Sequence, residues 1–506
     1  MSSMDTVLDL CAAAHPDHLA VTLGEEQASF ATVDAWTDRY AAGLDAWGVR
    51  RGDVVLCRFA IALDNVYLHC ALARIGAVFA PVDPACSDGE LGEILAYVEP
   101  RFLIADEAGE ALCAEAVRGT GIALGIVARQ DGATAGLNLG HAARVSRPAP
   151  CGERPRPDDL HAMYLTSGST GRPKAVAISH RANWLRAHLA ANVISSRGVV
   201  NMFPLFHMAG WQVIAQSWAR RRAVHLVQRA DAELLLMAVE RWGASTLYAI
   251  PAVWQRILEC RAPFDLRTLR GVDAGTSFVG PELIVALRER FPGTHNMLGY
   301  GSTEMGTGLQ IAHEDILRKP GSVGLPPPAV EARIDDGELL LRGPTMMEGY
   351  YRLPEETASA TAEGWYRTGD LAERDADGFH TIIGRRREII RSGGETISPV
   401  ELDALLNRIE GVADIATVGL PHADWGEIVC VAIVPREGCP PPSLDELRRA
   451  LGTVNPRKLP RAIREVAVIP RTLATGQVRR AALREMVLAM PAVKESQERN
   501  RCPASS

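Results

Sequence analysis

The sequence predicts an α/β protein whose main sheet is largely parallel. In the first hundred residues, short apolar runs typical of buried strands alternate with segments whose apolar positions recur at helical spacing. Strands are expected at 54–59, 76–82 and 102–105, and helices at 30–50, 67–75 and 90–98. Strands that alternate with helices are typical of a parallel sheet, in which each crossover connection is a helix.

The alternation continues toward the C-terminus after one interruption. Residues 108–158 lose periodicity and gather Gly, Pro and Arg, so a variable region followed by a loop is expected there. Further strands are predicted at 225–228, 246–250, 332–334, 338–342, 416–419, 429–434 and 465–469, with a hairpin at 371–383. Further helices are predicted at 232–242, 281–290, 399–408 and 444–451.

Length and composition restrict the class of protein. A chain of 506 residues is too long for one hydrophobic core, and about three compact units are expected. Hydrophobic residues make up 47% and charged residues 23%, which is ordinary for a soluble globular protein. The net charge is −7 and no basic stripe is present, which argues against nucleic acid as a partner.

Cysteines and terminal segments point to the cytoplasm. The ten cysteines are scattered and no Cys-x-x-Cys pair occurs, so reduced thiols are expected and a zinc site is not. The first residues lack the charged start and long apolar core of a signal peptide. No apolar run reaches the ~18 residues that a membrane-spanning helix needs. We therefore expect a cytoplasmic protein without a membrane span.

One segment, Tyr164–Val176 (YLTSGSTGRPKAV), carries the first functional signal. An apolar approach leads into Thr166–Gly171, which contains only Thr, Ser and Gly, and Lys174 precedes a second apolar run. Glycines let backbone N–H groups turn toward a ligand, hydroxyls donate hydrogen bonds and lysine adds positive charge, so the pattern favours a phosphate-binding loop. A Ser/Gly turn between two strands is the simpler interpretation, and the spacing of a P-loop is not met.

A second segment, VVNMFPLFHMAGW (199–211), runs from an apolar strand into a turn that carries His207. A single histidine among apolar residues is, by default, a structural residue whose hydrogen bonds are satisfied. WYRTGD (365–370) and GRRRE (384–388) are equally ambiguous, because a surface turn and a solvated basic run explain them.

A third segment, NMLGYGSTEMG (296–306), combines three groups suited to a nucleotide. The ring of Tyr300 offers a flat face to a base, Thr303 can donate to a phosphate, and Glu304 offers an oxygen ligand for Mg²⁺. Without other signals, Gly-Tyr-Gly-Ser is an ordinary turn. The functional interpretation of this segment therefore depends on the other segments of the chain.

Together these segments resemble, in the same order, the signature segments of the adenylate-forming superfamily, which contains acyl-CoA synthetases, peptide-synthetase adenylation domains and luciferases. RIGAVFAPVDP (74–84) also resembles an early region of the family, and LRGVDAGT (269–276) is an imperfect match to its Gly-Gly-Ala segment. The resemblance covers residues 20–490. It implies a large N-terminal domain of α/β subdomains plus a β-barrel-like subdomain, a hinge, and a small α+β C-terminal domain. These domains would occupy 1–387 and 388–490, with a disordered tail at 491–506.

The resemblance also assigns roles, residue by residue. Nucleotide binding is assigned to Thr166, Ser167, Gly168, Ser169, Thr170, Gly171, Gly275, Tyr300, Gly301, Asp370 and Arg385. The catalytic positions are Lys174, His207, Thr303, Glu304 and Gln477, with Mg²⁺ bound by Glu304 when ATP is used. The acyl pocket contains Met208 and Trp211, the hinge is Glu388 where the family usually has Asp, and Gly393 and Gly394 line the coenzyme A tunnel.

One position departs from the family. In the segment IPRTLATGQVRRAALRE (469–485), the family has Gly-Lys followed three residues later by Arg, and the lysine is the adenylation catalyst. Here the lysine position is Gln477, while Thr475, Gly476 and Arg480 keep the surrounding pattern. A glutamine amide donates hydrogen bonds but carries no charge. Loss of one preorganised donor to a developing anion typically costs about 2.7–4 kcal/mol, or ~10²–10³ in rate.

The sequence therefore favours an enzyme that forms a coenzyme A thioester from an acyl-adenylate, because attack by the thiol does not use the missing lysine. Its small-molecule partners would be a carboxylic acid or its acyl-adenylate, and coenzyme A. A separate adenylating enzyme would be a further partner. Trp211 and the apolar residues near His207 suggest a hydrophobic or aromatic acid.

Other functions remain open at this level. One is a complete acyl-CoA synthetase that uses ATP and Mg²⁺, with Arg479 or Lys458 in place of the lysine, although a guanidinium differs from an ammonium in geometry and reach. Another is an inactive binding homologue, which the retention of His207, Glu304 and Asp370 argues against. A luciferase-type oxidation and a peptide-synthetase domain are less favoured.

Overall fold

The computed structural model describes residues 3–130, 132, 134–146, 154–167, 173–189, 197–406, 409–452, 455–472 and 476–490. The chain divides into two units. The large unit contains Met1–Asp335, Leu339–Thr368 and Arg374–Thr381, and the small unit contains Asp336–Glu338, Gly369–Glu373 and Ile382–Ser506. The domain boundary expected between 387 and 388 stays a prediction, and the tail expected at 491–506 lies outside the described residues.

Helices and strands alternate along the described chain. The helices are α1 (Asp5–Ala14), α2 (Phe30–Trp47), α3 (Leu63–Ile75), α4 (Asp88–Val98), α5 (Glu110–Ala116), α6 (Leu139–Val145), α7 (His180–Leu189), α8 (Met208–Ala219), α9 (Ala232–Trp242), α10 (Pro251–Glu259), α11 (Pro281–Arg290), α12 (His313–Ile316), α13 (Pro354–Ala360), α14 (Pro399–Leu406), α15 (Leu444–Ala450) and α16 (Arg480–Leu488). The strands are β1 (Leu19–Leu23), β2 (Glu26–Ser29), β3 (Val54–Arg58), β4 (Val78–Val82), β5 (Phe102–Asp106), β6 (Ala123–Val127), β7 (Leu137–Asn138), β8 (Leu160–Ser167), β9 (Pro173–Ser179), β10 (Val199–Asn201), β11 (Val224–Leu226), β12 (Thr246–Ala249), β13 (Gly271–Gly275), β14 (Leu298–Ser302), β15 (Gly306–Ile311), β16 (Glu331–Asp335), β17 (Glu338–Arg342), β18 (Gly349–Tyr350), β19 (Thr361–Ala362), β20 (Trp365–Arg374), β21 (His380–Arg385), β22 (Ile390–Ser392), β23 (Glu395–Ile397), β24 (Val412–His422), β25 (Gly426–Pro435) and β26 (Ala462–Glu465).

The first sheet of the large unit has the order β18-β9-β8-β4-β3-β5-β6-β7. Its central strands are parallel, with Val55 of β3 opposite Phe79 of β4 and Phe102 of β5. These strands are the apolar runs that predicted a parallel sheet, and β3 and β4 are buried along their whole length. Leu91 and Ile94 of α4 pack against them in one apolar core.

Local signals explain where the helices of this sheet start and stop. Helix α4 begins with a capping box, in which the Ser87 side chain accepts from the Glu90 backbone and the Glu90 side chain accepts from the Ser87 backbone. Helix α3 ends at Gly76, whose φ of +71° is a left-handed conformation that favours glycine. The chain can then turn directly into β4.

The second sheet of the large unit has the order β15-β14-β13-β12-β10-β11-β1-β2. Strands β10, β12, β13 and β14 are mutually parallel, so their carboxyl ends lie at one edge of the sheet. That edge receives the residues that follow each strand, including the turn before His207, Gly275 at the end of β13, and Thr303 after β14. Topology thus collects segments that are far apart in the sequence.

A third sheet has the order β16-β17-β20-β19, with β21 paired to β20. It contains the strands predicted at 332–334 and 338–342 and the predicted hairpin at 371–383, all of which are confirmed. The hairpin turns at Asp375, whose carboxylate accepts from the backbone of Asp377 and Phe379.

The region 108–158 is more regular than expected. Instead of a variable stretch it contains α5, β6, β7 and α6, with β6 parallel to β5, while residues 147–153 are outside the described part. Gly125 interrupts the apolar run of β6, and a Cβ there would lie 2.6 Å from Leu139 and 2.8 Å from Trp47. The glycine that obscured the strand pattern is therefore required by packing.

The small unit contains a sheet of order β23-β22-β25-β24, with β26 parallel to β25. Alternate residues of β25 enter different cores, as the two-residue period of a strand requires. Val429, Val431 and Ile433 pack with α14 and α15, whereas Cys430 and Ala432 pack with α16.

One strand of the small unit was predicted at the wrong residues, and one helix was not predicted. The strand expected at 465–469 is instead β26 at 462–465, because Val466 and Ile469 fill the core beside α16 rather than extend the ladder. Helix α16 was not predicted, since its short amphipathic stretch follows an irregular segment.

The length of the chain predicted three compact units, but the chain divides into two. The large unit holds both eight-stranded sheets.

Three further properties concern the described residues only. No helix there combines the length and apolar character needed to cross a bilayer. Their cysteines are free thiols, and several, including Cys57 and Cys430, are buried. No group of three or more His, Cys, Asp or Glu side chains in that part of the chain is placed to hold a metal ion.

Candidate active site

Paired strands hold together the two ends of the predicted phosphate loop. β8 and β9 pair antiparallel as far as Ser167 opposite Pro173, and the Thr166 hydroxyl donates to the Lys174 carbonyl over 3.3 Å. The two strands that flank the predicted loop are therefore confirmed. The predicted phosphate ligands Gly168, Ser169, Thr170 and Gly171, and the side chain of Ser167, lie outside the described part of the chain, so their roles stay predictions.

Lys174 lies in a chain of contacts that reaches Glu304. Its ammonium is 4.8 Å from the centre of the Tyr350 ring, a distance at which the ring face attracts a cation. The Tyr350 hydroxyl donates to Glu304 Oε1 over 3.0 Å. Two residues predicted from separate segments therefore lie on either side of a tyrosine that the sequence did not single out.

A buried arginine supports the turn that carries Glu304. Arg186 of α7 donates from Nε to the Thr345 carbonyl over 2.9 Å and from Nη2 to the Glu304 carbonyl over 3.2 Å. Burial lowers the Arg186 pKa to about 10, so its guanidinium stays charged at neutral pH. Its two hydrogen bonds fix the backbone on both sides of the turn.

Phenol groups surround the same carboxylate. The Tyr366 hydroxyl is hydrogen-bonded to Ser302 and lies near Glu304, Tyr350 and Tyr300. Burial, reinforced by the Glu304 charge, raises the pKa of Tyr366 well above its usual value. Tyr366 therefore remains a neutral phenol near Glu304, while Tyr350 is the phenol that donates to the carboxylate.

Glu304 fits the Mg²⁺ role that the resemblance implies. Mg²⁺ usually binds through one or two carboxylates together with substrate phosphates and waters rather than in a cage made only of protein groups. One carboxylate close to the strands that flank the predicted phosphate loop is the protein ligand that such a site needs, and Thr303 precedes it in the chain. Glu304 would therefore hold the cation jointly with phosphate oxygens.

Glycines at the edge of the second sheet allow close backbone approach. A Cβ on Gly275 would lie 2.5 Å from the Tyr248 hydroxyl and 2.9 Å from the Gly299 carbonyl oxygen. A Cβ on Gly301 would lie 2.2 Å from the Gly306 carbonyl oxygen. Both positions assigned to nucleotide binding are thus also required by strand packing.

His207 is the N-cap of α8. Its Nδ1 accepts from the Ala209 backbone over 3.2 Å, which satisfies one of the free donors at the helix start. Burial lowers the His207 pKa to about 4, so the ring is neutral at physiological pH. The capping contact gives His207 a structural role. The catalytic role that the resemblance assigns to His207 stays a prediction.

Met208 and Trp211 line a cavity on the large unit. Its empty space is about 650 Å³, part of which is open to solvent, and its walls come from α1, α3, α7, α8 and β8. The indole of Trp211 stacks on His69 at 3.6 Å between ring centres. Most of the lining side chains are apolar.

Asp370 and Arg385 contact each other in the small unit. Arg385 Nε lies 2.8 Å from Asp370 Oδ1, and Asp370 is buried while Arg385 is exposed. The two oxygens of a carboxylate suit the vicinal hydroxyls of ribose, which is the role implied by the resemblance. The other nucleotide positions assigned to described residues belong to the large unit.

The predicted hinge residue Glu388 forms an ion pair with Arg480. Arg480 Nε lies 3.3 Å from Glu388 Oε2, and Arg480 Nη2 lies 2.5 Å from Asp403 Oδ2. The same guanidinium donates to the Thr417 carbonyl over 2.6 Å. The sequence analysis named Arg480 only as part of a family pattern. In the structure, this buried arginine connects α16 to Glu388, Asp403 and Thr417.

Gly393 and Gly394 differ in their surroundings. Both have left-handed backbone conformations, with φ of +57° and +84°. A Cβ on Gly393 would lie 2.6 Å from the Trp425 ring, whereas a Cβ on Gly394 would have no atom within 4 Å. Glycine is therefore required by packing at the first position and leaves open space at the second.

Gln477 lies in a turn closed by a bridge between Arg471 and Val478. Its backbone N–H donates to the Thr472 hydroxyl over 3.0 Å, and the residue is exposed. Thr475, which the sequence places in the same pattern, is outside the described residues.

Known proteins are similar to this chain in both units. The sequence profile described as AMP-binding enzyme matches residues 8–351, and that described as AMP-binding enzyme C-terminal domain matches residues 401–475. The chain belongs to the AMP-binding enzyme family. The fold and the order of its segments agree with the adenylate-forming superfamily, and the relatives place it on the acyl-CoA synthetase branch, among the acid–thiol ligases.

Three relatives illustrate this placement. An indoleacetate–CoA ligase of Aromatoleum aromaticum is 29% identical, covering 95% of this chain and 97% of the relative. A probable CoA ligase, CCL9, of Humulus lupulus is 30% identical, covering 96% of each chain. The ATP-bound structure of MatB from Rhodopseudomonas palustris superimposes with a TM-score of 0.86 at 25% identity, covering 96% of this chain and 99% of that one.

In this AMP-binding enzyme, the structure brings Lys174 and Glu304 together and adds partners that the sequence analysis missed. Tyr350, Tyr366 and Arg186 all contact or approach Glu304. Tyr350 follows a glycine in β18 and Tyr366 follows Trp365 at the start of β20, where a tyrosine is an ordinary strand residue. Arg186 is one arginine among many. No spacing rule could have connected them to Glu304.

Replacement of Gly301 by alanine tests the close contact between β14 and β15. The added Cβ would meet the Gly306 carbonyl oxygen at 2.2 Å, so the strands must separate and stability should fall by about 1–3 kcal/mol. AMP binding should weaken because Tyr300 and Thr303 flank this contact. Calorimetric titration with AMP and thermal unfolding measure both effects.

Gly299→Ala is the matched control, since a Cβ at Gly299 has no atom within 4 Å. It lies on the same strand and makes the same chemical change. Equal AMP affinity and equal unfolding temperature in the two variants would contradict the prediction.

Proposed function

We propose that this AMP-binding enzyme forms a coenzyme A thioester from an acyl-adenylate and is impaired in making that adenylate from acid and ATP. The observation that carries the proposal is Gln477, an uncharged side chain where the family has its adenylation lysine. Adenylation brings a carboxylate against the α-phosphate, so two negatively charged groups must approach. An ammonium offsets that charge and an amide does not.

One of the two candidate substitutes for the lysine already has a partner. Lys458 Nζ lies 3.2 Å from Glu401 Oε2. Lys458 would have to leave this carboxylate before it could neutralise a phosphate, which supports impaired adenylation. The other candidate, Arg479, is exposed.

Thioester formation makes a different demand on the site. The thiol sulfur attacks the acyl carbonyl, a carbon–sulfur bond forms, and the carbon–oxygen bond to phosphate breaks. AMP then leaves with the bonding electron pair, and the thiol proton is lost to solvent or base. No carboxylate has to approach a phosphate, so this step does not require a charge at Gln477. The open space beside Gly394 supports a passage for the thiol.

The acid is hydrophobic or aromatic in this proposal. The cavity that contains Met208 and Trp211 is mostly apolar, and Trp211 is itself stacked on His69. The similarity to an indoleacetate–CoA ligase supports an aryl acid in particular. In this proposal, ATP and the Mg²⁺ ion at Glu304 are needed for adenylation and not for thioester formation.

Parallel assays of the two half-reactions test the proposal. A panel of hydrophobic and aromatic acids is supplied with ATP, Mg²⁺ and coenzyme A, and the corresponding synthetic acyl-adenylates are supplied with coenzyme A alone. We expect thioester formation from the adenylate to exceed that from acid and ATP by about 10²-fold or more. Mass spectrometry of the thioester and pyrophosphate–ATP exchange provide the two measurements.

Two results would replace the proposal by an alternative. Equal turnover from acid and ATP would indicate a complete synthetase, with exposed Arg479 as the substitute cation. Failure of every acyl-adenylate to give a thioester would indicate a binding homologue without activity.

A further inference from the structure

We propose that helix α1 closes the far end of the acyl cavity and thereby sets the longest acid tail that the enzyme accepts. The proposal rests on the proposed function, because it takes the cavity lined by Met208 and Trp211 as the acyl site. It goes further by assigning a specificity role to Leu8, Val7 and Met4, which lie on or next to α1 and line the same cavity.

Helix α8 gives the cavity its direction. Met208, Trp211, Gln212, Ala215 and Trp218 all line it, which is the i, i+3, i+4 spacing of one helix face. From Met208 to Trp218 this face extends for about 15 Å at the rise of an α-helix. Met208 directly follows His207, so the reacting end of the acid is expected at this end and the tail is expected to run toward Trp218.

The far end of that face meets α1. Leu8 and Val7 are almost fully buried and line the cavity, and Cys11 donates from Sγ to the Trp218 carbonyl over 3.0 Å. A tail that follows α8 past Trp211 therefore encounters the side of α1 that carries Val7 and Leu8, with Asp5 beside them. The aliphatic side chains there can bury apolar groups but offer no hydrogen bond, which suits the end of a hydrocarbon or aryl tail.

Charge pairs hold this wall in place. Arg74 of α3 lies 2.7 Å from Asp9 of α1, and it also pairs with Asp34 and Asp38 of α2. The backbone N–H of Met4 donates to His180 Nδ1 over 3.3 Å. Because α1 is tied to α2, α3 and the start of α7, it is a fixed stop rather than a loose flap.

Substitutions in α1 test the proposal. Straight-chain acyl sulfamoyl adenosines of increasing length, which mimic the adenylate and cannot react, are titrated calorimetrically into the wild type and into variants Leu8→Ala, Met4→Ala and Leu8→Phe. In the wild type, affinity should fall about 10-fold at the first tail that is one methylene too long. The limit should move to longer tails in both alanine variants and to shorter tails in Leu8→Phe.

Leu10→Ala is the matched control, because Leu10 lies on the same helix and is 57% exposed. It should leave the length limit unchanged. If Leu8→Ala does not fold, half-buried Met4 still provides the test. The same length limit in the wild type and in every folded α1 variant would overturn the proposal.

The binding assay also separates this proposal from the proposed function. A shift of the length limit without any thioester formation would sustain the role of α1 and defeat the thioester activity. Thioester formation with an unchanged limit would sustain the activity and defeat the role of α1.

Discussion

Replacement of Gln477 by lysine is expected to raise pyrophosphate–ATP exchange about 10²–10³-fold while leaving thioester formation from the acyl-adenylate about unchanged. The new ammonium would approach the acid carboxylate and the α-phosphate during adenylation, where it offsets developing negative charge. The ammonium has no such role in thiol attack, because no carboxylate approaches the phosphate in that step and AMP leaves with its negative charge on phosphate. The two rates should therefore separate in this single variant.

The turn that carries Gln477 can accept the substitution. Gln477 is exposed, and its backbone is held by the contact to Thr472 and by the bridge between Arg471 and Val478. Gln477→Met is the matched control, since it has a similar length and no charge. A rise in exchange with both variants, or with neither, would contradict the charge argument.

Replacement of Arg480 by methionine is expected to destabilise the small unit by about 3–5 kcal/mol. Arg480 is buried and supplies hydrogen bonds or charge to Glu388, Asp403 and the Thr417 carbonyl. Burial raises the pKa of Asp403 even with Arg480 beside it. Without the guanidinium, a buried carboxylate and a buried carbonyl lose their partner at once.

Hydrogen exchange measured by mass spectrometry can follow this effect in the intact chain. Peptides from β24 and β25 should exchange faster in Arg480→Met, and peptides from β3 and β4 in the large unit serve as the internal reference. Arg484→Met is the matched control, because Arg484 is on the same helix and its pair with Glu427 is more exposed than the contacts of Arg480. Equal protection in the two variants would contradict the prediction.

The strand and helix pattern was well predicted where apolar runs were unbroken. β3, β4 and β5 are continuous hydrophobic segments, and α9 and α11 begin and end at the predicted residues. Prediction failed at β6, where Gly125 makes room for Trp47, and at β26, where Val466 packs without joining the ladder. In both cases tertiary packing overrides a local pattern.

The candidate site divides in a similar way. Short segments with Gly, Thr and Lys predicted a phosphate loop and a nucleotide role for Tyr300–Glu304, because such chemistry requires particular residue types next to one another. Tyr350 and Arg186 reach Glu304 from other elements, and their residue types carry no special signal. His207 was ambiguous in sequence, and the structure gives its ring a capping contact.

The sequence by itself determined the family, the parallel α/β pattern and the uncharged residue at position 477, since each depends on residues that are close together in the chain. Tertiary structure alone decided which side chains surround Glu304 and which helix closes the cavity beside Trp211. Those neighbours come from strands and helices separated by up to hundreds of residues, and their contacts exist only once the sheets have paired. Short segments of sequence specify which chemical groups lie next to one another, whereas the shape of a cavity depends on how the whole fold packs.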